Sequence, residues 1–111
     1  MAVTAQVLIP AKIAENSQTT QYTSTGVTTI IDKFTATNYS AGPVSLSVNL
    51  VTSAGSASDA NLIVKTKMLQ AGETYTFPEI VGQILAVGGF ISTIASAASS
   101  INIRASGRLI T

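Results

Sequence analysis

Short segments in which apolar and polar residues alternate recur along the chain. In residues 44–51, VSLSVNLV, Val or Leu alternates with Ser or Asn. Residues 101–106, INIRAS, repeat this alternation, and residues 28–38 are rich in β-branched and aromatic side chains. A period of two places successive side chains on opposite faces of a strand. Each segment therefore predicts a strand with one face in a core and one polar face.

The segment 28–38 contains one acidic residue in an unexpected position. Counting by two from Ile30 puts Phe34 on the same, apolar face, whereas Ile31 lies on the opposite face with Lys33. Asp32 then falls on the apolar face. Because a buried unpaired carboxylate is costly, we expect Asp32 to pair with a Lys or Arg on a neighbouring strand, or to lie at a sheet edge.

The remaining segments complete an all-β pattern. Strands are predicted at residues 61–69, 74–77 and 90–96, and the last of these is expected to pair with residues 101–106 as a hairpin. Residues 78–85 predict a single helical turn, since Pro suits the first helical position. About seven to eight short strands separated by Gly- and Ser-rich turns indicate an antiparallel β-sandwich, Ig-like or jelly-roll-like.

The first 26 residues differ from the rest, so residues 1–26 and 27–111 are treated as two parts, an N-terminal part and a sandwich domain. A short apolar run, Val7 to Ile9, is stopped by Pro10, and residues 15–26 read ENSQTTQYTSTG, which is almost wholly polar. Two interpretations remain open: an extended N-terminal arm that reaches across a neighbouring subunit, or an edge strand and loop of the domain itself. On the first interpretation, residues 1–20 could be removed without unfolding the sandwich.

Composition favours a structural role over catalysis. Only 10% of the residues are charged, and Ser and Thr make up about a quarter of the chain. A surface of hydroxyls costs less to desolvate than a surface of charges, which favours a protein that is covered by neighbours in an assembly. The chain has no His and no Cys, which excludes Ser-His and Cys-His nucleophilic sites and the usual zinc sites. We predict no enzymatic activity and no cofactor.

The distribution of charge argues against nucleic acid and membranes as partners. The net charge is +1, and the six basic residues are scattered rather than clustered as phosphate binding requires. Residues 80–103 carry no charge and are long enough to span a bilayer, but hydroxyls and turn-forming residues interrupt them, so we predict two strands and a loop. Residues 1–6 lack the basic and apolar regions of a secretion signal.

Five residues are candidates for an interface. The apolar run supplies Val7, Leu8 and Ile9 as an anchor, and Tyr22 lies in the polar stretch that follows. Tyr39 is predicted at a loop tip, where a large amphipathic ring can serve as an anchor for a partner. The alternative for Tyr39 is packing over its own turn. The three phenylalanines are assigned to the core.

Several segments together resemble small virion proteins of tailed bacteriophages. They are IDKFTATN at 31–38, VSLSVNLV at 44–51, QAGETY at 70–75, EIVGQ at 79–83, GFIS at 89–92 and INIRASG at 101–107. The resemblance covers about three-quarters of the chain and implies a β-sandwich without catalytic residues. Such proteins coat the head as decoration or cement subunits, often as trimers, or join the neck and tail.

The resemblance implies three functional hypotheses. The first is a capsid decoration or cement subunit that bridges capsomers by binding the major capsid protein. The second is a neck, tail or fibre-base adaptor that binds other neck or tail proteins. The third is a carbohydrate-binding sandwich on the virion surface, which the absence of Trp disfavours. All three place the chain in the virion after synthesis in the bacterial cytoplasm, as a homo-oligomer, with a trimer favoured.

Overall fold

Two antiparallel sheets pack face to face in the computed structural model, which describes residues 2–111. The strands are β1 (Val3–Ile13), β2 (Thr19–Thr23), β3 (Thr28–Asn38), β4 (Val44–Val51), β5 (Leu62–Leu69), β6 (Thr74–Tyr75), β7 (Ile84–Leu85), β8 (Phe90–Ala95) and β9 (Ile101–Ile110). The first sheet has the order β1-β9-β3-β6, with β7 also paired to β3, and the second has the order β2-β8-β4-β5. A 3-10 turn at Asp59–Asn61 precedes β5. The predicted all-β sandwich is confirmed.

The core lies between the inner faces of the two sheets. Phe34 and Phe77 are fully buried and meet edge to face, with ring centroids 5.1 Å apart. Aliphatic side chains from both sheets close around this pair, including Leu46, Ile91 and Ile103. Such burial of apolar area is the main force that holds the sheets together. Two of the three phenylalanines thus belong to the core as predicted.

The third phenylalanine departs from that prediction. Phe90 is only half-buried, because it is the first residue of β8 and lies at the end of its sheet, where it pairs with Thr23 on the edge strand β2. The alternation around it is otherwise as expected, since the next residue, Ile91, is fully buried.

An irregularity at Asp32 changes the predicted faces of β3. The pairing of β3 with β9 shifts register between Ile31 and Lys33, which is the signature of a β-bulge. Because the bulge inserts one extra residue between Ile31 and Lys33, the alternation of faces shifts by one. Ile31 and Phe34 are therefore both fully buried, and Ile30 is half-exposed. The prediction that Ile30 shares the face of Phe34 was therefore wrong. Asp32 turns outward instead.

The predicted last hairpin is also corrected. β8 belongs to the second sheet and β9 to the first, so the two strands face each other across the core rather than pairing side by side. Residues 96–100 carry the chain between the sheets, with Ser99 at a φ of 52°. The carbonyl oxygen of Ser100 accepts a hydrogen bond from the backbone N–H of Tyr39 at 2.9 Å, which ties this crossover to the end of β3.

The N-terminal part is an edge strand and loop, the second of the two interpretations. β1 pairs along its length with β9, and Leu8 and Ile9 are 4% and 0% exposed within the core of the same chain. The segment after β1 then crosses to the second sheet, where β2 forms an edge strand. Residues 3–13 are therefore integral to the sandwich.

The segment after Pro78 is not helical. Consecutive turns run from Phe77 to Gln83, starting with Phe77 at a φ of 43°, and β7 follows. The turns are stabilised by pairing with β3, because Ile31 donates to Gln83 and accepts from Gly82. No helix in the described part of the chain is long and apolar enough to cross a membrane.

Candidate interaction surface

The outer face of the first sheet is unusual where β1, β9, β3 and β7 meet. Residues that pair directly across neighbouring strands point to the same face. The pairings put Ala5, Arg108, Ile30 and Ile84 in one such row. The neighbouring row of Leu109 and its partners points inward to the core, so this row lies on the outer face.

Apolar side chains occupy most of this outer face. Val3 and Ile84 are 59% and 63% exposed, Val7 is also exposed, and Ile30 and Ile110 are half-buried beside them. We call these five residues the valine–isoleucine patch. Single exposed apolar residues are ordinary on protein surfaces, but five on one face of a sheet, on either side of Arg108, are typical of a surface that binds a partner.

The inward side of β1 is polar over its first residues, which is the reverse of the usual arrangement. Thr4 and Gln6 alternate with the valines of β1 and are exposed, because the core does not extend to this end of the strand. In an ordinary sandwich the apolar residues of an edge strand point to the core and the polar residues point to solvent. Here the apolar side of β1 points away from the core, toward whatever covers the outer face.

A bidentate ion pair lies within the patch, because Arg108 stands between Ala5 and Ile30 in this row. The Arg108 guanidinium donates to both carboxylate oxygens of Asp32, at 3.0 Å from Nε to Oδ2 and 2.9 Å from Nη2 to Oδ1. This confirms the expected pairing of Asp32 with a basic residue on a neighbouring strand. The Asp32 carboxylate raises the pKa of Arg108, through the hydrogen bonds first and its charge second. Because Arg108 and Asp32 are paired, neither would be left as an unpaired charge if a partner covered this part of the outer face.

The structure separates the five predicted interface residues. Val7 belongs to the valine–isoleucine patch, whereas Leu8 and Ile9 lie in the core and have no surface to offer a partner. The bulged register between Val7 and Ile9 explains why adjacent residues are buried together. Leu8 and Ile9 are therefore removed from the candidate interface.

The two tyrosines lie apart from Val7. Tyr22 is half-buried, and its hydroxyl is 2.9 Å from the hydroxyl of Thr29. Tyr39 is 51% exposed in the loop after β3, at the end of that strand farthest from Ile30. Asn38 holds this loop in place, since its buried side-chain amide donates to the carbonyl oxygens of Gly42 and Leu69. Tyr39 is thus a separate exposed ring, outside the patch.

A polar groove on the second sheet is the other notable surface. It has a volume of about 260 Å³, and its lining includes Gln18, Asn49, Ser58, Asp59 and Lys65. The amides in it bond to one another, as Gln18 donates to Asn49 and Asn49 donates to the carbonyl oxygen of Ser58. No tyrosine or phenylalanine lines this groove. Within residues 2–111, no three acidic residues converge as a metal site would require.

The sequence interpretation missed four of the five residues of the patch. A signal existed on β1, because Val3, Ala5 and Val7 alternate with Thr4 and Gln6. Alternation alone does not reveal that this apolar side faces outward. Ile84 had no signal at all, since its position depends on the pairing of the two-residue strand β7 with β3.

No family model, no curated protein and no solved structure matches this chain. Its function is therefore inferred from its residues and its geometry.

Proposed function

We propose that this chain is a structural subunit of a tailed-bacteriophage virion, and that it decorates or cements the head by binding the major capsid protein. The observation that carries the proposal is the valine–isoleucine patch, an exposed apolar surface on a sheet that is rigidly paired on both sides of β9. The patch would supply the apolar centre of the interface with the shell. The resemblance of the sequence to small phage virion proteins supports the same function.

The charge within the patch does not oppose its burial. Covering an unpaired charge costs much free energy, but Arg108 is already paired with Asp32. Lys33, which is exposed in the same outer-face row as Val7, would lie at the rim of the interface. The remaining surface is rich in Ser and Thr hydroxyls, which are cheaper to cover than charges. Each contact with the shell would be small, and the repetition of the shell by symmetry would make the total binding strong.

The number of copies per virion tests this function. We expect quantitative mass spectrometry of virions of the phage that encodes the chain to find on the order of hundreds of copies, as symmetric coverage of a head requires. About a dozen copies or fewer would instead assign the chain to the neck, tail or fibre base as an adaptor. Absence from purified virions would refute a structural role.

Substitution in the patch tests the surface that carries the proposal. Ile84→Lys puts a charge at the most exposed residue of the patch, so we expect about tenfold weaker binding to heads that lack the chain. Val87→Lys is the matched control, because Val87 is also exposed at 56% but lies in the turn between β7 and β8, outside the patch. Equal binding of the two variants would show that another surface meets the shell.

A further inference from the structure

β1 is the open edge of the first sheet. In residues 2–111 it pairs with β9 alone, and its other side carries no strand. From Ala2 to Val7 it has no charged residue and no Pro, and its register with β9 is regular. An exposed, flat, uncharged edge of this kind is a template for pairing with another strand.

The other edges of the sandwich carry the features that prevent such pairing. β5 exposes Lys65 and contains a residue at positive φ, Thr66 at 47°, which breaks its register with β4. β2 is short and irregular, and β6 and β7 have two residues each. Charges, bulges and short strands are the usual protections of an edge. Of the edge strands described, only the first half of β1 lacks charges, bulges and shortness. We therefore take β1 as the pairing edge.

The hydrogen bonds of the terminal pair show which groups of β1 are free. Ala2 donates to Thr111 at 3.2 Å and Thr111 donates to Ala2 at 3.0 Å, so Ala2 directs both its backbone groups toward β9. Successive residues of a strand direct these groups to opposite sides. The N–H and C=O groups of Val3, Ala5 and Val7 therefore point to the open edge. These are the same residues whose side chains lie on the apolar outer face.

We propose that β1 pairs with β1 of a second copy of this chain, antiparallel and centred on Ala5. In this register Val3 lies opposite Val7 of the second copy, and Ala5 lies opposite Ala5. The outward groups of these residues are in phase for an antiparallel ladder of about six hydrogen bonds. The two first sheets become one continuous sheet, and the two valine–isoleucine patches join across the two-fold axis.

A second copy fits this edge for two reasons that are visible in β1 itself. The strand is self-complementary, because two-fold rotation about Ala5 brings valine onto valine and small onto small. It is also uncharged from Ala2 to Ala11, so that two copies meet without like-charge repulsion. Two-fold pairing uses both free edges at once and closes at the dimer. The inference concerns β1 and holds whether or not the proposed function is correct.

Paired charge substitutions on β1 test both the partner and the register. Sedimentation equilibrium of the full chain should show a concentration-dependent dimer for the wild type. The double variant V3K/V7K puts lysines opposite each other at both ends of the ladder, and we expect its self-association to be at least about tenfold weaker. The double variant V3K/V7E has substitutions at the same positions but puts opposite charges face to face, and it should recover the dimer.

Two controls separate edge pairing from other effects. T74K/T76K adds two charges to exposed residues in and next to β6, the opposite edge of the same sheet, and should dimerise like the wild type. Ala5→Pro removes an N–H that points to the open edge and not to β9, so it should prevent the dimer while circular dichroism stays that of the folded chain. A wild type that is monomeric at about 1 mM, or equal dimerisation of V3K/V7K and V3K/V7E, would overturn the proposal. A monomer would leave the edge to a strand of a different protein.

Discussion

At the scale of the residue, Gly107 shows why one position in a strand admits no side chain. It lies in β9 between Gln6 of β1 and Ile31 of β3. A Cβ atom built there would overlap the backbone carbonyl oxygen of Ile30 and would lie 3.0 Å from the Leu8 side chain. The backbone of β3 bulges one residue further along, and the close approach of strands next to a bulge leaves room only for hydrogen.

Gly107→Ala should therefore destabilise the protein strongly. We expect a loss of about 2–4 kcal/mol in the free energy of unfolding, since the neighbouring atom belongs to a paired backbone and cannot move aside. Urea denaturation followed by circular dichroism measures the loss. Gly42→Ala is the control, because a Cβ at Gly42 meets no atom within 4 Å, and its stability should stay close to that of the wild type.

Glu15 makes the stability of the folded chain depend on pH. Its carboxylate accepts hydrogen bonds from the Lys12 ammonium at 2.9 Å and from the Gln21 amide at 2.8 Å, and these lower its pKa from the ordinary value. Because the pKa is lower in the folded chain, the stabilisation is complete above the pKa of the unfolded chain. It disappears as the pH falls through the folded value.

Glu15→Gln should reduce the loss of stability in acid. Between about pH 6 and pH 2.5 we expect the wild type to lose more stability than the variant, by less than about 1 kcal/mol because the pair is partly exposed to solvent. Urea midpoints across this range measure the difference. Parallel curves for Glu15→Gln and the wild type would contradict the assignment.

At the scale of the element, β1 serves the core with one half and the outer face with the other. Its first residues, up to Val7, are exposed on both sides, whereas Leu8 and Ile9 are buried under the second sheet. The bulges after Val7 make this change possible, since they rotate the strand so that two consecutive residues enter the core. The strand is therefore both a structural edge and the carrier of the proposed interface.

Two N-terminal truncations should behave differently. Of the residues that the structure describes, a chain that begins at Ala5 loses only Ala2, Val3 and Thr4, which are exposed, and we expect it to keep a cooperative unfolding transition. A chain that begins at Ala14 loses Leu8 and Ile9, each worth about 1.5–3 kcal/mol of burial, and leaves the backbone of β9 unpaired. That loss approaches the total stability of an ordinary domain, so we expect no folded state. A folded chain from Ala14, with the circular dichroism of the wild type, would support the detachable arm.

At the scale of the whole molecule, the topology joins distant parts of the chain. The central strand of the first sheet, β9, comes last in the sequence and pairs with β1 and β3, while β2 pairs with β8. The edge strands β1 and β2 therefore cannot pair until most of the chain is in place. Both sheets share one core, so neither is expected to be stable alone.

Refolding should consequently be slow and cooperative. We expect a single equilibrium transition and a refolding time between milliseconds and seconds, as in other sandwiches dominated by non-local pairing. Stopped-flow circular dichroism measures this rate, because the chain has no Trp for fluorescence. Refolding in microseconds, or separate transitions for the two sheets, would contradict this account of the topology.

The local pattern of the chain was sufficient to determine the class of the fold and many strand bounds. β3 and β4 follow the predicted residues, because alternation over eight or more residues depends only on neighbours along the strand. The pairing of Asp32 with a basic residue was one of the two predicted outcomes, although the bulge places Asp32 on the outer face and not on the apolar face from which the pairing was argued. The partner itself, Arg108, could not be identified until the register of β3 and β9 was known.

The tertiary structure alone decided the faces, the sheet membership of the last strands and the candidate surface. A bulge shifts the phase of a strand without a distinctive residue, which is why Ile31 is buried in place of Ile30. β8 and β9 have the alternation of a hairpin, but side-by-side pairing and stacking across a core both satisfy that pattern. The outward side of Val3 and the position of Ile84 follow from long-range register. Alternation along a strand determines what it can bury, and only the other strands determine where that face points.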